Sequence, residues 1–136
     1  MHELFEHTAD LGLRATAPDH NALFAEMGRC LLSAVVDNPA SVEKKHECTI
    51  LLDGKDREYL MFDWLRHLLY LFEEGKGLYA DFEVEVGPDG LSAVAFGDRF
   101  DPARHVLSHE VKAITYHELK VEQVADGWLA EVIVDI

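Results

Sequence analysis

The stretch FEVEVGPDGLSAVAFG, residues 82–97, decides the fold class. Phe82, Val84 and Val86 alternate with Glu83, Glu85 and Gly87, the two-residue period of a strand with one buried and one open face. Pro88-Asp89-Gly90 makes a tight turn, and Leu91 to Gly97 returns as a second strand. Strands joined by so short a turn are antiparallel neighbours.

The rest of the second half has the same character. Arg104 to Leu107 reads as irregular, Glu110 to Tyr116 as extended, and Leu119 to Val124 as a strand. Asp126-Gly127 then turns the chain into a last strand, Trp128 to Ile136. The first half opens with two short strands, Glu3 to His7 and Leu11 to Ala17, and carries a third at Glu47 to Leu52, with Asp53-Gly54 as its turn.

Two segments break this rhythm. Pro18-Asp19 reads as a stop followed by an N-cap. In residues 20–37, Leu23, Met27, Leu31, Ala34 and Val35 then form one helical stripe, with Phe24 beside it, until Asp37-Asn38-Pro39 ends the helix. Asp56 caps a second helix over residues 57–74, whose Met61, Trp64, Leu65, Leu68, Leu69 and Phe72 make a wide apolar face, with Gly75 fitting the C-terminal cap. Helices this apolar need a sheet to lie on. The expected fold is therefore α+β, a two-layer sandwich of two main helices on a predominantly antiparallel sheet, forming a single domain over residues 1–136.

Composition narrows the function. Twelve basic residues against 26 acidic ones give a net charge of −14, a field that repels a phosphate backbone and disfavours direct nucleic-acid binding. It suits a basic partner protein, a bound cation or high solubility. Cys30 and Cys48 form no CxxC pair and read as buried, reduced thiols. No signal-peptide pattern and no apolar run near the roughly 20 residues that cross a bilayer is present, so a soluble cytoplasmic protein is expected. No phosphate-binding glycine loop, HExxH or GxSxG occurs, which leaves nucleotide-fold and nucleophilic-enzyme readings without support.

The carboxylates are many, so position decides between them. Asp10 stands at the mouth of the second strand, inside His7-Thr8-Ala9-Asp10. In the last strand, Ala130, Val132, Val134 and Ile136 fall on one face, while Leu129, Glu131, Ile133 and Asp135 fall on the other. Asp135 thus lies off the apolar face and next to the terminal carboxylate of Ile136. Two like charges so close repel unless a cation or basic side chain joins them. If the last strand packs beside the first ones, Asp10 completes an oxygen-rich cluster that suits Ca²⁺ or Mg²⁺, with His7 leaving Mn²⁺ open. Spacing alone also admits a solvated terminus and a turn-capping aspartate. In HEVKAITYHELKV, residues 109–121, Lys112 offers a cation near this cluster, with solvent or a surface acid as its plainer destination. Tyr116 and His117 read as partly buried hydrogen-bonding residues.

Taken together, HTADLGL, the DWL..LL.L helix, EVKAITYHELKV and the terminal VIVDI resemble the archease family, in order and over essentially the whole chain. The resemblance implies a non-enzymatic protein cofactor of the RNA-splicing ligase that joins 3′-phosphate and 5′-hydroxyl RNA ends in tRNA splicing or RNA repair. The cofactor promotes guanylylation of the ligase's active-site histidine and multiple turnover, and can relax nucleotide choice. RNA and GTP are then contacted through the ligase, and no membrane is involved. The resemblance also implies a divalent metal site, Ca²⁺ foremost, at Asp10, Asp135 and the backbone oxygen of Ile136, and a role for Lys112 in activating the partner. Two other readings compete: a metal-dependent phosphoester hydrolase built on Asp10, Asp135 and His7, and a chaperone-like interaction module.

Overall fold

Alternation and turns build eight strands and two long helices in the computed structural model, which describes residues 1–136. The quoted hairpin forms as expected: β4 (Gly77–Gly87) and β5 (Gly90–Arg99) pair antiparallel, with Gly87 opposite Gly90. β4 begins several residues before the alternation does, because an irregularity between Tyr79 and Asp81 shifts its side-chain phase. The third strand, β3 (His46–Asp53), pairs with the other edge of β5, giving a sheet in the order β3-β5-β4.

The remaining strands form a second antiparallel sheet. β1 (His2–His7), β2 (Asp10–Ala17) and β8 (Gly127–Asp135) lie side by side, and β8 also pairs with β6 (Ala113–Ile114) and β7 (Lys120–Val124). The α+β class stands, with its antiparallel strands divided into two sheets that share one core.

That division explains the helices. α1 (His20–Val35) is capped by Asp19, whose carboxylate accepts from the Ala22 N–H at 2.8 Å. It packs on β1 and β2 of the larger sheet and on β4 of the smaller. Its buried residues therefore include Ala25, Cys30 and Leu32 beyond the expected stripe. α2 (Arg57–Gly75) is capped by Asp56, which accepts from Glu58 and Tyr59. Trp64, fully buried, donates its indole N–H to the Phe24 carbonyl at 2.8 Å and tethers α2 to α1. Thirty-three buried apolar residues from both sheets and both helices form one cluster.

Four local expectations are corrected. Gly75 is the last helical residue, and Lys76 takes the left-handed capping conformation at φ 59°, returning its N–H to Phe72 and Leu71. Cys30 is buried, and desolvation pushes its thiol up to about 12, but Cys48 is only partly buried. Residues 110–116 are not one strand: only Ala113 and Ile114 pair with β8. The preceding segment spends its hydrogen bonds on the end of α1 instead, with Ser108 N–H on the Val35 carbonyl at 2.8 Å and His109 N–H on Ala34 at 2.9 Å. Val111 and Ile114 are consequently both buried despite opposite parity in the sequence. Tyr116 and His117 are exposed, Tyr116 stacking on Phe62 with ring centroids 3.9 Å apart.

Candidate functional site

The register of the larger sheet settles where Asp10 and Asp135 lie. β2 and β8 pair with Leu11 opposite Val134 and Leu13 opposite Val132, whose side chains enter the core. One step further along the same register, the first residue of β2, Asp10, faces the last residue of β8, Asp135. Strand parity turns both to the outer face, away from Leu11 and Val134. Asp10 is also opposite His7 on β1, and Asp135 is opposite Ala113 on β6. One row across four strands therefore reads His7, Asp10, Asp135, Ala113.

The charged row at the other end of this face is built differently. Arg14 donates to Glu3 at 2.7 Å and to Glu131 at 2.5 Å, and Lys120 lies 3.5 Å from Glu131. Those hydrogen bonds to Glu3 and Glu131 hold the Arg14 guanidinium above its ordinary pKa. Burial pushes the Glu131 carboxyl up, but the hydrogen bonds and charges of Arg14 and Lys120 together outweigh it and the net shift is downward. Between the rows, Phe5, Gly12 and Ile133 form an apolar step, and the Phe5 ring occupies the space a Cβ on Gly12 would need. Arg14 and Glu131 neutralise one another, whereas the Asp10–Asp135 row contains two aspartates on adjacent strands and no lysine or arginine.

The donor set of that row fits the expected group. Asp10 and Asp135 offer hard carboxylate oxygens, and Ile136, one residue beyond Asp135, offers backbone oxygen, the ligand type that Ca²⁺ and Mg²⁺ take. Lys112 is tied to the same strand end by its backbone, its N–H donating to the Asp135 carbonyl at 2.8 Å. Its side chain is exposed beside a groove lined by Asp63, Arg66, His67, Tyr70 and Glu73 of α2. Burial lowers the pKa of His67 in that groove.

The tightest triplet of metal-type donors is a different one. His7, His117 and Glu118 bring their ligand atoms within 4.8 Å of one another. His7 Nε2 lies 3.0 Å from Glu118 Oε2, and the His7 and His117 rings meet edge to face at 5.3 Å. The sequence placed His7 near the cluster, read His117 as a partly buried hydrogen-bonding residue and did not single out Glu118. The signal was the turn after β6, where Glu118 takes a left-handed φ of 52° and the chain reverses toward β7.

The likeness to known proteins runs over essentially the full length of the chain. Residues 2–136 match the model of the archease protein family (MTH1598/TM1083). The chain is 39% identical to protein archease of Pyrococcus furiosus over 98% of this chain and 97% of that one. It is 35% identical to protein archease of Methanosarcina mazei, over 99% and 95%. The solution structure of Methanobacterium thermoautotrophicum protein 1598 superposes with a TM-score of 0.86 at 29% identity, covering 99% of this chain and 98% of that one. A Thermotoga maritima crystal structure, described as an archease and possible chaperone, shares the fold with a TM-score of 0.66 at 21% identity, over 100% and 98%. No helix is long and apolar enough to cross a membrane.

Proposed function

The chain belongs to the archease family, and on that premise we propose that it acts as a protein activator of the RNA-splicing ligase. It is not the ligase itself. It promotes guanylylation of the ligase's active-site histidine and so permits repeated joining of 3′-phosphate and 5′-hydroxyl RNA ends. The observation that carries this reading is the register placing Asp10 opposite Asp135 at one end of the larger sheet, with Lys112 bonded through its backbone to the same residue. An acidic tip on a chain of net charge −14 suits a basic, nucleotide-handling partner rather than RNA directly.

In this reading Asp10, Asp135 and the backbone oxygen of Ile136 hold a divalent cation, Ca²⁺ foremost and Mg²⁺ or Mn²⁺ as alternatives. Such a cation supplies charge neutralisation and orientation for a triphosphate. The chain's own residues do the rest. β2 and β8 fix the two carboxylates at a rigid sheet end, the buried Leu11 and Val134 beneath them prevent that end from fraying, and Lys112 presents a free ammonium to an anionic group on the partner. RNA and GTP are met only through the ligase.

The test is a ligation assay with the cognate ligase under substrate excess. Stoichiometric addition of the protein should convert a single-turnover reaction into a multiple-turnover one. An unchanged turnover number rejects the activator reading. Protection of unrelated client proteins instead would move the function to the chaperone role suggested for the Thermotoga relative.

A further inference from the structure

We propose that His7, His117 and Glu118 form a second metal site, of imidazole–carboxylate type, for borderline divalent ions such as Zn²⁺. It is distinct from the all-oxygen Asp10–Asp135 tip, and it holds whether or not the ligase is the partner.

The distances carry the argument. Zinc binds imidazole nitrogen at about 2.0–2.1 Å and carboxylate oxygen at about 2.0–2.2 Å, so neighbouring ligand atoms of a tetrahedral site sit roughly 3.3–3.5 Å apart. His7 Nε2 is 3.0 Å from one Glu118 oxygen, and His117 Nε2 is 3.7 Å from the other. With one atom from each residue the three donors lie within 4.8 Å of one another, so the set must contract to reach that spacing. The His117 and Glu118 side chains are each 62% exposed and free to close the remaining gap, while His7 is held at 23%. His7 Nδ1 is buried without a partner, so Nε2 is the nitrogen that ring presents to a ligand.

The backbone fixes the arrangement from both sides. Thr115 Oγ1 donates to the Ile133 carbonyl at 2.8 Å and accepts from the His117 N–H at 3.2 Å, pinning the turn to β8. Leu119 N–H closes the turn on the Tyr116 carbonyl at 3.2 Å, with Glu118 left-handed at its corner. His7 ends β1, and Thr8 beside it is also left-handed, at φ 49°. Donors from positions 7, 117 and 118 are thus brought together by two pinned turns rather than by chance mobility. Two nitrogens and one oxygen leave at least one coordination position open for water or a partner's ligand. This donor set discriminates from the tip: imidazole suits Zn²⁺, Co²⁺ or Ni²⁺, and carboxylate with backbone oxygen suits Ca²⁺.

The experiment titrates the full chain with Zn²⁺ by calorimetry, and with Co²⁺ by visible absorption, which reports coordination directly. One equivalent should bind, and His117→Ala, His117→Gln and Glu118→Gln should each weaken Zn²⁺ binding at least tenfold. Ca²⁺ binding by the same variants should change less than threefold, and their melting curves should match wild type without metal. Asp10→Asn should do the reverse, lowering Ca²⁺ affinity while keeping most of that for Zn²⁺. Absence of Zn²⁺ binding at 100-micromolar concentrations, on the order of a loose three-ligand site, overturns the proposal. So does a Zn²⁺ affinity lost with Asp10→Asn but kept with His117→Ala, which would place the ion at the tip.

Discussion

Asp135→Asn should separate stability from the proposed metal binding at the tip. Asp10 and Asp135 face one another across β2 and β8, and no lysine or arginine shares their row. Cross-strand neighbours stand about 5 Å apart, and two unit charges at that distance in a water-like surface dielectric repel by about 0.8 kcal/mol. Without metal the asparagine variant should therefore be more stable than wild type by about 0.5–1 kcal/mol. For a chain of this length that is roughly 2–5 °C in melting temperature. Excess Ca²⁺ reverses the order. At 100 times its dissociation constant a ligand stabilises by about 2.7 kcal/mol, whereas a hundredfold weaker site gains only about 0.4 kcal/mol. The assay is thermal unfolding followed by circular dichroism, once in EDTA and once in Ca²⁺, for both proteins. The curves should cross: variant higher in EDTA, wild type higher in Ca²⁺. A variant that melts lower in EDTA refutes the repulsion, and equal gains on adding Ca²⁺ refute the ligand role.

Three further outcomes follow from the structure. Asp98 is 5% exposed and paired with Arg104 at 2.6 Å; burial raises its pKa, but the Arg104 ion pair, the Arg99 N–H and the Lys45 charge together outweigh it and the folded value lies below the ordinary 3.8. A depressed folded pKa gives stability that is present above pH 3.8 and lost as pH falls through the folded value, so urea midpoints should hold at neutral pH and drop below about pH 4, with Asp98→Asn flattening that drop and lowering the neutral plateau by about 2–3 kcal/mol. A neutral plateau unchanged in the variant would contradict the pairing. Gly12→Val drives a side chain into the Phe5 ring and should cost about 1–3 kcal/mol by chemical denaturation, much of it recovered in a Gly12→Val/Phe5→Ala double variant; simple additivity would show that the two do not compete for one space. Lys112→Ala should leave unfolding and Ca²⁺ affinity unchanged, because its structural contact is a backbone N–H, yet lower ligase stimulation roughly tenfold, the scale of one charge-assisted contact. Full stimulation by that variant would remove Lys112 from the account.

Local pattern was a good guide wherever one residue's neighbours in sequence were also its neighbours in space. The β4–β5 hairpin, the two aspartate caps and the α2 face all followed from alternation, capping chemistry and helical spacing. Long-range pairing was not written locally. Nothing in residues 46–53 says that this strand joins β5 rather than β2, so the division into two sheets, and with it the burial of α1 on several sides, was not legible. EVKAITY alternates like a strand, but the chain before it bonds to the end of α1, leaving only the short stretch from Lys112 to Thr115 to bond to β8. Asp10 and Asp135 could be nominated from their places at strand ends, and the register then set them opposite one another. His117 and Glu118 were not legible as metal-type donors because their partner, His7, lies 111 residues from Glu118 and only folding joins them.

The central claim is that the Asp10–Asp135 tip activates the ligase by promoting its guanylylation. The most direct measurement is the rate of covalent GMP transfer to the cognate ligase from labelled GTP, with wild-type protein, Asp10→Ala or Asp135→Ala, each shown to be folded by its melting curve. Wild type should accelerate GMP transfer and both variants should leave it near the rate of ligase alone. Full acceleration by the two folded variants would contradict the account.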